Sequence, residues 1–349
     1  MEQIFKIPKM VKSAVRVYWL IIFSFPLIIT SCQPAAEEVV VYNSVDQVFS
    51  EPVLKDFERE TGIKVKAVYD TEETKSTGVM NRLIAEKDNA QCDVFWSGDP
   101  LRNNILKSRD ITTPYQSAQT ALIPAYFKDK ENQWTGFSAR ARVLIYNRRL
   151  IQKDDLPKSL MDLTKPAYKG KFTIANPLFG TTTFQIASLF ATLGESRAKQ
   201  WLQDIKANGV IIATSNGDVK KRVMQGEIAF GLTDTDDAFE AIKESDDVAY
   251  VFPDQQNGGM GTLIMPNALS LIKNSPNSKN GKKLIDYLLS KETEAKLAVS
   301  SAQMPLIKGA PVPTNVPSLD AIKPMKIDYN ETSKVLEEIQ PWLKQWAEQ

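Results

Sequence analysis

The chain of 349 residues contains no histidine and only two cysteines, Cys32 and Cys92. Without histidine and with so few cysteines, it cannot build the usual zinc sites, the Ser/His/Asp and Cys/His nucleophile systems, or a histidine general base. Most familiar hydrolases are therefore excluded, and we expect a protein that is not an enzyme. Chemistry that uses carboxylates alone, as in glycoside hydrolysis, is not excluded, so a surface hydrolase that uses Asp234 or Asp236 is the remote alternative.

The chain also lacks an excess of charge of either sign. It has 43 basic and 42 acidic residues, without long runs of one sign, and so offers no basic footprint for nucleic acid. It has no P-loop and no GxGxxG motif after a strand, and the acidic run at 234–237 lacks the glycine that an EF-hand loop needs. These absences exclude nucleic-acid, nucleotide and calmodulin-type functions.

The first 32 residues have the pattern of an export signal. Basic residues precede an apolar run at 17–30, which ends in Ile-Thr-Ser followed by Cys32. The run is shorter than the roughly 20 apolar residues of a membrane-spanning helix, and its flanks are typical of a signal peptide. We predict a lipoprotein signal peptide at 1–31, a lipidated Cys32 as the mature N-terminus and a tether at 32–38; an uncleaved anchor is the alternative. The mature protein would lie in the periplasm or at the cell surface, lipid-anchored to a bacterial membrane.

Short β-rich runs alternate with helical periodicity in two parts of the chain, 39–96 and 172–232. Each part indicates a βαβαβ unit with parallel strands. The apolar run at 138–146 is expected to pass from one unit to the other, and the chain to return through 258–265. Two crossings imply a hinge, so the sequence predicts an α/β protein with two lobes and a cleft. Lobe 1 would comprise 39–137 plus 263–310, lobe 2 would comprise 138–262, and 311–349 would form a helical segment that packs on the lobes.

Two arginines are the first candidates for ligand binding. Arg140 and Arg142 are two residues apart on a predicted strand, so their side chains share one face. Guanidinium groups suit the bidentate capture of carboxylate, carbonate or phosphate. The alternative is that both pair with structural acids at the hinge.

An acidic turn at 233–237 is the second candidate. It follows a predicted strand, at the end of the sheet where ligands of open α/β folds bind. Asp234, Asp236 and Asp237, joined by Asp46 and Asp99 from the other lobe, would then form a cation site facing the arginines across the gap between the lobes. The alternative is a helix start, with an N-cap and acids at the positive end of the helix dipole.

A third candidate is the stretch at 179–183, which follows a strand and precedes a helix. The backbone N–H groups and hydroxyls of Gly180, Thr181 and Thr182 would cradle an anion there, unless they form a plain helix cap. Other polar residues at predicted strand ends are weaker cleft candidates: Asn43, Ser44, Ser97 and Asn176.

Several segments resemble a known family when taken in order. They are the sequences VYNS at 41–44, FERETGIKV at 57–65, DVFWS at 93–97, SARARVLIYN at 138–147, GEIA at 226–229 and LLSKE at 288–292. In this order, over nearly all of 38–349, the chain resembles the periplasmic ferric-ion-binding proteins of ABC importers, within the wider type II solute-binding proteins.

The resemblance implies a two-lobe, periplasmic-binding-protein-like type II fold that closes on its solute and delivers it to an ABC permease and ATPase. It implies a monomer without a required cofactor, whose cargo is Fe(III) or another hard cation with a synergistic anion. The family's adjacent tyrosine ligands correspond here to Asp236 and Asp237, its histidine falls near Asp46, and its glutamate falls near Gly98 or Asp99. Since all four positions differ, a phosphate-bearing or carboxylate organic solute is the alternative cargo.

Overall fold

The computed structural model describes residues 37–71 and 75–348. The predicted signal peptide, Cys32 and residues 33–36 of the predicted tether lie outside these residues. No helix within the two described ranges is both long and apolar enough to cross a membrane.

The α/β class predicted from the sequence is confirmed by the order of elements. The strands are β1 (Glu38–Asn43), β2 (Lys64–Tyr69), β3 (Val94–Ser97), β4 (Thr112–Thr113), β5 (Thr135–Asn147), β6 (Phe172–Ala175), β7 (Ile211–Ala213), β8 (Phe230–Asp234), β9 (Val248–Val251) and β10 (Ile264–Ile272). The helices are α1 (Gln47–Thr61), α2 (Thr77–Ala85), α3 (Pro100–Ser108), α4 (Gly180–Leu193), α5 (Glu195–Ala207), α6 (Asn216–Met224), α7 (Thr235–Glu244), α8 (Ser278–Leu288), α9 (Lys291–Ser301) and α10 (Tyr329–Glu348).

The strands form two parallel groups joined by two antiparallel strands. Their order is β2-β1-β3-β10-β5-β8-β6-β7, with β4 beside β10 and β9 beside β5. β1 is parallel to both β2 and β3, and β6 is parallel to both β7 and β8. These are the two βαβαβ units that the alternating pattern predicted.

Strand β5 runs through both groups, as the apolar run at 138–146 predicted. All 13 of its residues are buried. Its first half pairs with β10 and its second half with β8 and β9, all antiparallel. The return crossing is longer than predicted, because β10 continues to Ile272 and shifts register between Pro266 and Asn267. The lobe boundaries proposed from the sequence stay predictions.

Local sequence explains where two helices begin and end. Helix α1 buries Val53, Leu54 and Phe57 on one face and ends at Gly62, whose φ of 72° is the left-handed conformation that glycine favours. Helix α3 was not predicted from the sequence. Its signal is the pair Asp99 and Pro100, an N-cap followed by proline in the first turn.

The C-terminal helix α10 connects the two groups of strands. It packs against α3, which follows β3, and against α4, which follows β6. Leu336, Leu343 and Trp346 are buried in this contact region. Tyr329 and Trp342 of α10 lie beside the rings of Phe184 and Phe190 in α4, the helix whose N-terminus borders the candidate site.

Candidate functional site

A cavity of about 290 Å³ lies where the parallel strands of both groups end. Its walls come from the segments after β1, β2 and β3 on one side and after β6, β7 and β8 on the other. The carboxyl ends of strands are the usual ligand site of open α/β sheets. Three cations and four acids line the cavity: Lys75, Arg140, Lys220, Asp46, Asp234, Asp237 and Glu240.

Arg140 lines the cavity and is held loosely. Its Nη2 donates to the carbonyl oxygen of Gly98, and its Nη1 lies 3.6 Å from Asp234 Oδ2 and 3.5 Å from Asp236 Oδ2. The side chain is only 4% exposed, and its Nε, like that of Arg142, has no hydrogen-bond partner among the described residues. Burial would lower the pKa of Arg140, but the neighbouring aspartates outweigh it and raise that pKa above its ordinary value.

Arg142 lies behind the cavity wall and is held tightly. Its Nη1 donates to Asp234 Oδ1 at 2.7 Å and to Thr181 Oγ1 at 3.1 Å. Its Nη2 donates to Thr182 Oγ1 and to the carbonyl oxygen of Leu232, both at 3.3 Å. The guanidinium is fully buried, so these contacts fix Asp234 in place.

The two arginines share one face of β5, as predicted, but they do not face the acidic turn across a gap. Arg142 and Asp234 are register partners on the adjacent strands β5 and β8. The expectation of a gap was wrong because β8, which carries the acids, pairs directly with the second half of β5. The arginines therefore compensate the acids from the neighbouring strand.

The acidic turn forms the start of α7. Asp234 occupies the N-cap position but makes no side-chain cap bond, because its carboxylate is used by Arg142 and by the hydroxyl of Thr181 at 2.8 Å. Carboxylate oxygens of Asp234, Asp236 and Asp237 lie within 4.8 Å of one another. Burial, then the charges of Asp236 and Asp234, raises the pKa of Asp237 to about 7. Burial likewise raises the pKa of Asp236.

The predicted ligands from the other side of the cavity have different surroundings. Asp46 lines the cavity and forms an ion pair with Lys75. Asp99 does not line it: its carboxylate accepts from the N–H groups of Leu101 and Arg102, which caps α3, and from Arg102 Nη1 at 2.9 Å. Asp99 therefore has a structural role in this geometry.

The N-terminus of α4 borders the cavity as expected. Gly180, Thr181 and Thr182 all line it, together with Asn176. The N–H of Gly180 donates to the carbonyl oxygen of Lys75 at 3.0 Å, so this group is already used. Gly180 has a φ of 58°, which residues other than glycine rarely adopt.

The weaker candidates divide between the wall and the layer behind it. Ser44 lines the cavity, and its hydroxyl accepts from the N–H of Gly98 at 3.1 Å. Asn43 and Ser97 are fully buried and do not line it. The amide of Asn43 donates to Ser50 Oγ at 2.6 Å and its oxygen accepts from the N–H of Val45 at 2.8 Å, so it shapes the turn after β1.

Several wall residues were missed in the sequence. Lys75 lies in a stretch of sequence that is rich in charged residues and has no helical or strand periodicity. Lys220 and Glu240 looked like exposed positions of α6 and α7. The structure joins Lys220 and Glu240 as an ion pair at the cavity. Asn216 donates to Thr181 and Asp234 at the start of α6; the Ser-Asn-Gly sequence after β7 is a helix-start signal that would have indicated a second N-terminus at the cleft.

Known proteins share both sequence and fold with this chain. A family model described as bacterial extracellular solute-binding protein matches residues 53–324. Iron uptake protein A1 of Synechocystis sp. is 27% identical over 299 residues, which cover 82% of this chain and 81% of that protein. A Salmonella typhi periplasmic protein, provisionally assigned as binding 2-aminoethylphosphonate, is 26% identical over 319 residues, which cover 89% of this chain and 88% of that protein.

A solved structure supports the same grouping. The crystal structure of iron-bound HitA from Pseudomonas aeruginosa matches with a TM-score of 0.80 at 24% identity and covers 88% of this chain and 99% of that one. The likeness confirms the predicted two-lobe fold of the type II solute-binding proteins. Since the family model spans most of the chain, this protein belongs to the family of bacterial extracellular solute-binding proteins.

Proposed function

We propose that this protein is the solute-binding component of an ABC importer and that its cleft holds the anionic group of a small phosphate-bearing or carboxylate solute. The observation that carries this proposal is Arg140. It is a buried guanidinium that lines the cavity, and its two ion pairs are stretched to 3.5 and 3.6 Å. Such a group gains from an added anionic acceptor, because hydrogen bonds between ionised partners are among the strong ones.

Two helix N-termini support an anionic ligand. The first turns of α4 and α6 both border the cavity, with Gly180 to Thr182 from one and Ser215 to Gly217 from the other. The first N–H groups of a helix have no partner within the helix, and the helix dipole favours negative charge at that end. A phosphate, phosphonate or carboxylate group between them would accept from backbone and hydroxyl donors.

The size of the cavity fits a small solute. A volume of about 290 Å³ lies just below the usual range for pockets that hold drug-sized molecules. The cavity wall carries polar side chains from both groups of strands. Closure of the lobes would therefore remove water from the ligand and strengthen its hydrogen bonds. Affinity would then come from these hydrogen bonds in the closed cleft, and no covalent bond of the solute is made or broken.

The anchor and the partners belong to the same proposal. A lipidated Cys32 would hold the protein at a bacterial membrane surface, and an ABC permease with its ATPase would receive the solute. The family membership supports the transport role, and the signal pattern of residues 1–32 supports the anchor.

A ferric ion or another hard cation with a synergistic anion is the second candidate. It is favoured by the three aspartates whose oxygens lie within 4.8 Å of one another and by the relatives named for iron. Carboxylate oxygens are suitable ligands for hard cations. Against it stands the existing compensation of Asp234 by Arg142 at 2.7 Å.

Native mass spectrometry combined with elemental analysis of the protein as isolated separates the two candidates. The proposal predicts a bound organic anion and less than stoichiometric metal. One iron per protein without an organic phosphate or carboxylate would reject the metal-free assignment in favour of the second candidate.

A further inference from the structure

Lys75 reaches the cavity from the side opposite to the acidic turn. It lies between β2 and α2, whereas Asp234, Asp236 and Asp237 follow or end β8. Its carbonyl oxygen accepts from the N–H of Gly180 at 3.0 Å, and its ammonium forms an ion pair with Asp46. Both the backbone and the side chain of Lys75 are therefore fixed at the cavity wall.

Lys75 lines the same cavity as Asp234 and Asp237, so its ammonium lies in the field of the acidic turn. Burial lowers the pKa of Lys75, and Asp237, Asp236 and Asp234 oppose that effect. In return, Lys75 offsets part of the rise in the pKa of Asp236 and Asp237. The side chain is only 21% exposed, so water screens these interactions weakly.

The charges around the cavity are nearly balanced without any added ion. Five acids surround it, Asp46, Asp234, Asp236, Asp237 and Glu240, against four cations, Lys75, Arg140, Arg142 and Lys220. A metal ion bound by the three aspartates would be repelled by these four cationic side chains. Removing the charge of Lys75 would leave a deficit of two and restore a strong attraction for a cation.

We infer that Lys75 is a specificity-determining residue: a tethered cation that compensates the Asp234–Asp236–Asp237 cluster and thereby keeps hard metal ions out of the cleft. The exclusion of metal serves the proposed function, in which the cargo is an anion without a metal, and to that extent the inference rests on it. A lysine suits the role, since its ammonium is a compact point charge on a flexible stem. Because Lys75 and the aspartates belong to different sides of the cleft, the compensation depends on the two sides being together.

Terbium(III) chloride is the probe for this role, because it is a hard cation that takes oxygen ligands. Calorimetric titrations would use the mature protein after treatment with a chelator, as wild type, K75M, K75R and K75M/D237N. We expect K75M to bind one Tb(III) roughly tenfold or more tightly than wild type, the change expected when a unit charge is removed close to the ion. K75R should stay as weak as wild type, and K75M/D237N should lose the gain.

Two results would overturn the inference. One is a folded K75M, checked by near-ultraviolet circular dichroism, that binds Tb(III) no better than wild type; K75Q serves as a second variant if K75M does not fold. The other is a wild type that already binds one Tb(III) tightly and loses it in D237N. Binding of inorganic phosphate, methylphosphonate and acetate to wild type is measured separately. If none of these anions binds but K75M binds Tb(III) more tightly than wild type, the proposed cargo is rejected and the role of Lys75 is kept.

Discussion

Arg140 and Arg142 are two residues apart on one strand, yet they differ in how completely they are bonded. Arg142 is fully buried and its guanidinium contacts Asp234 at 2.7 Å and two threonine hydroxyls. Arg140 lines the cavity and contacts its aspartates at 3.5 Å or more. The difference shows that a shared face does not give a shared role: the arginine behind the cavity wall, with the short ion pair, supports the fold, and the arginine at the wall, with the long ion pairs, is available to a ligand.

The largest effect should follow from R142M. This change leaves Asp234 buried beside only a distant Arg140, and breaking a buried ion pair by removing one partner costs about 3–5 kcal/mol. We expect the free energy of unfolding, measured with urea, to fall by about that amount. R148M removes the same group from an exposed position and should stay within about 0.5 kcal/mol of wild type. A similar small loss in both variants would remove the distinction between the two arginines.

R140M should act on binding more than on folding. Losing hydrogen bonds from a charged donor to an anion weakens binding by about 10- to 100-fold, while the loose ion pairs of Arg140 make its loss less harmful to stability than that of Arg142. Titration calorimetry with phosphate, methylphosphonate and acetate measures the change, and K279M, an exposed position, is the matched control. Equal affinities in R140M and K279M would show that Arg140 does not contact the solute.

The smallest effect concerns Asp237, which the arginines compensate less than Asp234. Its pKa of about 7 lies above the ordinary value of 3.8, so the folded protein binds this proton more tightly than the unfolded chain. The stability that the proton confers is complete below pH 3.8 and is lost as pH rises through about 7. D237N stays neutral, so its Tm should fall less than that of wild type between pH 5 and 8, by a few degrees. Parallel curves for the two proteins would contradict the raised pKa.

Much of the fold could be predicted because its signals are local. Alternating strands and helices indicated both βαβαβ units, and the apolar run around Arg140 and Arg142 indicated the strand that joins them. Helix α3 escaped because its start depends on Asp99, whose carboxylate was assigned to the cleft. The side-by-side pairing of β5 and β8 escaped as well, because register between distant segments is not encoded in any short pattern.

The site was predictable only as a neighbourhood. Strand ends and helix starts named Ser44, Asn176 and Gly180, and all three line the cavity. Lys75 could not be found in this way, because its position depends on contacts with Asp46 and Gly180 that are distant in sequence. The cavity wall and the ion-pair distances also had to be seen before Arg140 could be separated from Arg142, since both carry the same charge on the same face.

Titration of metal-free wild-type protein with phosphate, methylphosphonate and acetate tests the central claim most directly. That claim is that the cationic side chains of the cleft bind an anion without a metal ion. The account predicts that at least one of these anions binds after chelator treatment and that adding Fe(III) citrate does not tighten its binding. Binding that appears only when ferric ion is supplied would contradict the account.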